Sequence, residues 1–127
     1  MDLLKEEYNN LIKHYGTQKY ISLGNFLDSY YSARKRNKHL GIFSRKPEFG
    51  RMRKKDISYL VSSFIYLLEQ DNQKIPKWLL DEKYMLKDPY FTDENCSDNM
   101  KGYLLANSPM CYRRNNIYTD RKPLRRC

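Results

Sequence analysis

The stretch DISYLVSSFIYLL, residues 56–68, decides the fold, because it is the most apolar segment of the chain. Its apolar side chains recur at intervals of three and four residues, the period of an α-helix with one face against a core. They are Ile57, Leu60, Val61, Phe64, Ile65, Leu67 and Leu68. We predict that this stretch is the core helix, which starts with Asp56 as its cap or earlier, near Met52.

Two amphipathic helices are predicted upstream of the core helix. The first covers residues 2–15 and stops before Gly16, and the second runs from 23 to about 37 with Ser22 as its N-cap. The apolar stripes that define them are Leu4, Tyr8, Leu11 and Tyr15 in the first helix, and Leu23, Phe26, Leu27, Tyr30 and Tyr31 in the second. Residues 40–55 hold two glycines and a proline among many cations, a composition typical of a connector.

The segment after the core helix is predicted to be mostly irregular. Pro76 opens a short helical turn, since proline is well suited to the first position of a helix. A last short helix is expected with Ser97 or Asp98 as its cap, and it stops before the Ser108-Pro109 pair. The residues that this last helix is expected to bury are Met100, Tyr103 and Leu104.

These elements define the fold class. No segment alternates apolar and polar residues for long enough to form a sheet, although residues 115–119 are compatible with one short strand. We therefore predict an all-α protein, a small single-domain bundle of about four helices with an irregular C-terminal segment packed over it. Residues 1–127 form the single domain, 2–72 its helical core, and 73–127 a Trp- and Pro-rich segment, a short helix and a basic C-terminal clasp.

The composition favours a folded, basic binding protein. Hydrophobic residues make up 40% and aromatic residues 14% of the 127 residues, which is too rich for a disordered chain. The formal net charge of +9 favours an anionic partner such as nucleic acid or an acidic protein face. The cysteines Cys96, Cys111 and Cys127 are widely spaced, which predicts reduced thiols and neither a metal site nor a cofactor.

The chain shows no apolar run typical of a signal peptide or a membrane span. We therefore predict a cytoplasmic protein without a membrane partner. The sequence leaves its oligomeric state open.

The cations are concentrated in two parts of the sequence. Residues 34–55 contain ten of the 24 lysines and arginines, and residues 108–127 contain six. If these parts meet in space, they form a surface able to hold phosphates or carboxylates. The candidate binding residues are Arg34, Arg36, Lys38, Arg51, Arg53, Lys54, Arg113, Arg121 and Arg126. For a single-stranded nucleic acid, Tyr112 and Tyr118 would offer rings on which unpaired bases stack.

We predict that the chain has no catalytic residues. Arg34 and His39 have the R-x4-H spacing used by HEPN-type ribonucleases, but Gly41 follows closely, so the helix that carries the pair is already ending. The other histidine, His14, has no carboxylate or cysteine at a catalytic spacing, and the chain lacks a glycine-rich phosphate loop. A ribonuclease that uses Arg34 and His39 is the least favoured alternative.

The second half of the chain resembles a group of small, largely uncharacterised bacterial proteins. Their shared pattern is P-x-W, an apolar-P-aromatic-F element, a short helix, SP-x-x-[FY]-x-R-R-[GN]-I-[FY], and a leucine followed by arginine. The matching residues are Pro76, Trp78, Leu86, Pro89, Tyr90, Phe91, Ser108, Pro109, Tyr112, Arg114, Asn116, Ile117, Tyr118, Leu124 and Arg125. The resemblance is specific over roughly the last 55 residues and looser over the first half.

Proteins of this group are often encoded beside minimal nucleotidyltransferases (AbiEii- or MNT-like), in pairs that resemble toxin–antitoxin or phage-defence modules. The resemblance implies that this chain is the antitoxin-like partner of such a toxin. A nucleic-acid-binding module or transcriptional autoregulator is the alternative.

The motif that carries the resemblance is expected to be structural first. Tyr112 and Ile117 are expected to anchor the C-terminal segment in the core. Arg114 is expected to pair with an acid of its own fold, such as Asp88 or Asp93, because a guanidinium matches a carboxylate in shape and charge.

Overall fold

The computed structural model describes residues 2–92, 97–120 and 123–124, and it confirms the mostly helical fold. Its helices are α1 (Leu3–His14), α2 (Lys19–Lys35), α3 (Lys54–Gln70), α4 (Asp98–Asn107) and α5 (Met110–Arg114). Two 3₁₀ turns cover Lys77–Leu80 and Glu82–Tyr84, and the strands β1 (Tyr90–Phe91) and β2 (Ile117–Tyr118) form a parallel pair. The described residues divide into two compact units, one up to Arg53 and one from Lys54, which we call the N-terminal unit and the C-terminal unit.

The first helix forms where its local chemistry predicts. The Asp2 carboxylate caps α1 by accepting hydrogen bonds from the backbone N–H groups of Leu4 at 3.1 Å and Lys5 at 3.3 Å. Leu4, Tyr8 and Leu11 are buried at helical spacing, and this face packs against α2. The first predicted helix is therefore confirmed to within one residue at each end.

The second helix begins earlier than predicted. It starts at Lys19, so Ser22 lies inside the helix and is not its N-cap. The Ser22 hydroxyl instead donates to the carbonyl oxygen of Gln18 at 2.7 Å. A serine hydroxyl can bond to a carbonyl one turn back as well as cap a helix, and the residue type alone does not distinguish the two roles.

The core of the N-terminal unit is aromatic. Phe43, in the predicted connector, is 1% exposed, and its ring centroid lies 5.7 Å from Tyr8, 6.0 Å from Phe26 and 5.9 Å from Tyr30. Aromatic pairs at about 4.5–7 Å contribute beyond the area that they bury. Phe43 therefore anchors the loop between α2 and α3 to both helices of its unit.

The predicted core helix is confirmed as α3. It begins at Lys54, between the two predicted starts, and Asp56 lies within its first turn. Leu60, Val61 and Phe64 are buried. The predicted 2–72 core grouped this helix with the first two, whereas α3 belongs to the C-terminal unit, where it packs against α5 and both 3₁₀ turns.

The strand expected within residues 115–119 is present as β2. Its partner β1 lies in the segment predicted to be irregular, and Tyr90 pairs with Ile117. The Tyr90 N–H donates to the Asn116 carbonyl at 3.0 Å, and the Thr92 N–H donates to the Tyr118 carbonyl at 3.1 Å. Each strand is only two residues long, which is too short for apolar and polar residues to alternate recognisably. The sequence pattern therefore did not predict β1.

The last predicted helix forms, but with less burial than expected. Ser97 caps α4 by accepting a hydrogen bond from the Met100 N–H at 3.2 Å. Leu104 is 5% exposed as predicted, whereas Met100 and Tyr103 are 43% and 48% exposed, so their predicted burial is wrong. The reason is that α4 packs along one edge, towards β2, and apolar residues on its other sides stay in water.

Candidate functional site

The clasp, residues 108–119, contains the SP…RRNNIY part of the chain and closes on itself through Ser108. The Thr119 N–H donates to Ser108 Oγ at 2.8 Å. The one proton of the Ser108 hydroxyl has two acceptors within reach, the Leu104 carbonyl at 2.5 Å and the Thr119 carbonyl at 2.9 Å. Pro109 precedes α5, and its carbonyl accepts the N–H groups of Tyr112 and Arg113, each at 3.1 Å. The Ser-Pro pair therefore opens a short helix, which the sequence did not predict, and Ser108 holds both ends of the clasp together.

Buried polar side chains attach the clasp to α3. Tyr112 is 0% exposed, and its hydroxyl donates to Ser63 Oγ at 2.8 Å, since the Ser63 hydroxyl itself donates to the Tyr59 carbonyl. The Asn115 amide donates to Ser62 Oγ at 2.8 Å. These bonds stabilise the clasp because a buried polar group left unpaired is costly. The predicted anchoring by Tyr112 is confirmed, as is that by Ile117, which is also fully buried.

The end of the clasp is held by Asn116 and Tyr118. Asn116 adopts a left-handed backbone with φ of 65°, a conformation that asparagine tolerates better than most residues. Its amide donates to the Leu86 carbonyl at 3.2 Å and accepts the Tyr118 hydroxyl at 2.9 Å. The ring of Tyr118 lies 5.3 Å from that of Phe91. Since Tyr118 is half-buried and Tyr112 is enclosed, these two rings do not form the base-stacking platform considered from the sequence.

The remaining motif residues support the same unit. Arg114 donates from its guanidinium to the Leu80 carbonyl, so it contacts its own fold through a backbone oxygen. Asp88 is exposed, and Asp93 lies outside the described residues. The ring of half-buried Trp78 packs edge-to-face on Tyr84 at 6.4 Å.

Two further motif residues complete this picture. Leu124 is buried, and Pro89, which is exposed, precedes β1. Most of the motif is therefore used to build the C-terminal unit.

The candidate cations, in contrast, face solvent. The exposed members of the predicted set are Arg34, Arg36, Lys38, Arg51, Arg53, Lys54 and Arg113. Arg121 and Arg126 lie outside the described residues. Among the exposed members, Lys54 and Arg113 belong to the C-terminal unit, and the five from Arg34 to Arg53 belong to the N-terminal unit.

A groove lies along α1 in the N-terminal unit, and its other wall is formed by the loop that follows α2 and, at one end, by α2 itself. It consists of three hollows of about 500, 600 and 620 Å³. The first two share Asp2, Leu4 and Lys38 among their lining residues, and the last two share Asn9 and Pro47, so neighbouring hollows adjoin one another. We call this feature the α1 groove.

Positive charge dominates the α1 groove. The cations that line it are Lys5, Lys13, Arg36, Lys38, Arg45, Lys46 and Arg51, and each of them is exposed. Within the described part of the chain, the carboxylates that line it are Asp2, which caps α1, and Glu48. An excess of positive charge along one groove raises the local potential and favours an anionic ligand.

The α1 groove is lined by some of the candidate binding residues predicted from the sequence and, among the described residues, by four cations that were not predicted. Arg36, Lys38 and Arg51 were predicted, whereas Arg34 and Arg53 are not among its lining residues. Lys5 and Lys13 were missed because they lie in the first helix, outside the two cation-rich parts of the sequence from which the candidates were taken. Arg45 and Lys46 belong to the cation-rich part 34–55, but they were not among the candidate binding residues.

The two residues of the ribonuclease alternative, Arg34 and His39, do not lie on one face of a helix. Arg34 is exposed in the last turn of α2, whereas His39 lies beyond the end of that helix and is 7% exposed. The His39 ring packs edge-to-face on Tyr30 at 5.4 Å. Elsewhere in the described ranges, no group of three or more His, Cys, Asp or Glu residues is placed to hold a metal ion.

The C-terminal unit contains a buried free thiol, Cys111, while Cys96 and Cys127 lie outside the described residues. Burial, assisted by the nearby Glu69 carboxylate, raises the pKa of Cys111 from 9.0 to about 12. Burial also raises the pKa of Tyr112 well above its usual value of 10.0. Both groups therefore stay protonated in the folded protein at a pH that ionises them in the unfolded chain.

We expect the free energy of unfolding to be insensitive to Cys111 below pH 9 and to fall between pH 9 and pH 12. In that window the unfolded chain releases the thiol proton and the folded chain retains it, so ionisation favours unfolding. Urea unfolding at a series of pH values measures the slope. The Cys111→Ala variant serves as the control and should show a shallower decline; an equal slope would contradict the prediction.

None of the helices in the described ranges is both long and apolar enough to span a bilayer. The chain was also compared with known proteins. No family model, no curated protein and no solved structure matches it.

Proposed function

We propose that the protein is a non-enzymatic binding protein that pairs with a nucleotidyltransferase toxin and restrains it. The observation that supports this proposal most is the difference in exposure between the motif residues, most of which are buried or half-buried, and the described candidate cations, which are exposed. Most of the motif is used to fold the C-terminal unit, whereas the described candidate cations are exposed to solvent. The resemblance of the second half of the chain to proteins encoded beside minimal nucleotidyltransferases supplies the class of partner.

The chemistry of such a partner is complementary. A nucleotidyltransferase holds its metal ions and nucleotide with clustered carboxylates, so the mouth of its cleft is acidic. A basic face that covers this cleft gains charge complementarity and excludes the nucleotide. Because exposed charges are screened by salt, the complex should be sensitive to ionic strength.

Co-expression tests the proposal. Cells that express the neighbouring nucleotidyltransferase together with this chain are expected to grow, and the two proteins should co-purify at about 0.1 M salt and separate near 1 M, where the Debye length falls to about 3 Å. The control is the same toxin expressed with an empty vector. A toxin that remains lethal and unbound beside this chain, or a gene without such a neighbour, would rule the proposal out.

Nucleic-acid binding is the second candidate, and the specific observation that favours it is the number of exposed cations between residues 34 and 54. A gel-shift titration across salt discriminates between the candidates. Phosphate neutralisation gives a slope of about −0.7 to −0.9 in log affinity against log salt for each phosphate contacted. Binding to RNA or DNA with a steep slope, together with no capture of the toxin, would favour this candidate.

A further inference from the structure

We infer that the α1 groove receives an extended, acidic segment of a protein partner in which apolar side chains alternate with carboxylates. This inference rests on the proposed function in one respect, that the partner is a protein. It goes further by naming the surface and the chemistry of the segment that enters it.

Charge selects an acidic ligand. Lys5, Lys38 and Arg45 line the same hollow, at the centre of the groove, and all three are exposed. Asp2 lines this hollow too, but its carboxylate already accepts two N–H groups of α1. A carboxylate that enters here would therefore meet cations on both walls, since Lys5 lies on α1 and the other two lie on the loop.

Apolar side chains select against a simple anion. Ile12 on α1, and Ile42, Phe49 and Met52 on the loop, line the groove and are half-buried. They are less exposed than the cations, and we call these four apolar residues the floor of the groove and the exposed cations its rim. A free phosphate or a polyglutamate chain would leave this floor in water, whereas leucine-like side chains would cover it.

The length of the groove suits an extended segment. Its α1 wall runs from Asp2 to Gly16, which at about 1.5 Å per residue spans roughly 21 Å. An extended chain rises about 3.3 Å per residue, so about six residues fill the groove. Alternate side chains of such a segment point to opposite sides, which directs one set to the floor and the other to the rim.

A protein segment fits the groove better than single-stranded RNA. Base stacking needs open ring faces. Tyr8 lines the groove but is 7% exposed, and Phe43 is enclosed in the core beneath. Phe49 is half-buried, which leaves little ring surface for successive bases.

Fluorescence anisotropy with the full chain tests the inference with three labelled probes. They are a ten-residue peptide in which glutamate and leucine alternate, a ten-residue glutamate peptide, and a ten-nucleotide single-stranded RNA. We expect the alternating peptide to bind about tenfold more tightly than either of the others, because it alone covers the floor and the rim together. Amide chemical shifts should change mainly in residues 5–16 and 38–52.

A matched pair of variants locates the binding. The groove variant carries Lys5→Glu, Lys38→Glu and Arg45→Glu, and should bind the alternating peptide about tenfold more weakly. The control variant carries Lys74→Glu, Lys77→Glu and Lys87→Glu, which are exposed positions in the C-terminal unit with the same change in net charge. It should stay within about twofold of the unmodified chain. All six positions are exposed, so both variants should keep the parent melting temperature.

Three outcomes would overturn the inference. They are tighter binding of the RNA, equal binding of the two peptides, and equal weakening in the two variants. Capture of the toxin by the groove variant distinguishes a failure of this inference from a failure of the proposed function. A toxin that the groove variant captures undiminished leaves the proposed function standing and removes the groove from it. Peptide binding in the groove without any restraint of a toxin supports the groove and removes the proposed function.

Discussion

Replacing Tyr112 with alanine is expected to lower the free energy of unfolding by about 3–5 kcal/mol, the usual range for removing a buried aromatic side chain. Tyr112 is 0% exposed, and its ring centroid lies 5.6 Å from Tyr59 and 6.0 Å from Tyr66, both on α3. Removing the Tyr112 side chain leaves a cavity between α3 and α5. For a domain of this size, such a loss is a large part of the total stability.

The Tyr112→Phe variant divides the effect into packing and hydrogen bonding. It keeps the ring and removes the hydroxyl that donates to Ser63, at an expected cost of about 1 kcal/mol. The cost is modest because Ser63 keeps its bond to the Tyr59 carbonyl. Urea unfolding, followed by circular dichroism, measures both variants. The neighbouring Arg113→Ala is the control and should change stability by less than about 0.5 kcal/mol.

These variants distinguish a structural motif from a recognition motif. If Tyr112 served mainly to contact a partner, its alanine variant would keep its stability and lose binding. The position of Tyr112 against α3 predicts the reverse, with binding lost only where the C-terminal unit unfolds. An alanine variant as stable as the parent would contradict the role assigned to the clasp.

Replacing Phe43 with alanine is the second change with a large expected effect, again about 3–5 kcal/mol. Phe43 belongs to a loop, yet it is 1% exposed and contacts rings on both α1 and α2. Its loss removes the anchor that holds the loop against the helices. Because this loop forms one wall of the α1 groove, the affinity for the alternating peptide should fall in the same variant.

Two controls accompany the Phe43 variant. Phe43→Leu keeps most of the buried volume, so it should cost about 1.5 kcal/mol or less and retain peptide binding. Leu40→Ala removes a side chain that is 53% exposed in the same loop, and should change stability by less than about 0.5 kcal/mol. Amide hydrogen exchange of α1 and α2 measures the response of this unit. Unchanged protection there in Phe43→Ala would contradict the anchoring role.

Local patterns in the sequence predicted the helices that bury a continuous stripe. Leu4, Tyr8 and Leu11 repeat at the helical period next to a capping aspartate, and α1 follows within one residue. The same reasoning located α3. In these segments, local propensity and burial favour the same conformation, so the pattern is sufficient.

Prediction was poorer where one side chain has two possible partners. Ser22 can cap a helix or bond to a carbonyl one turn back within it. Which of the two it does depends on where α2 begins, and α2 begins at Lys19. Met100 and Tyr103 have the spacing of a buried face, but nothing in α4 itself indicates which side meets β2. Arg114 was matched to a carboxylate, and it binds a carbonyl that lies 34 residues away in sequence.

By itself, the sequence determined the helical class, the extent of α1, the location of α3, the excess of positive charge and the anchoring role of Tyr112 and Ile117. Only the tertiary structure decided that α3 belongs with the clasp, that buried serines hold the clasp in place, and that α1 and a loop more than 20 residues away line one basic groove. The physical reason is range. Helix periodicity and capping act within about four residues, whereas a groove depends on contacts between distant residues, and those form only when the chain is folded.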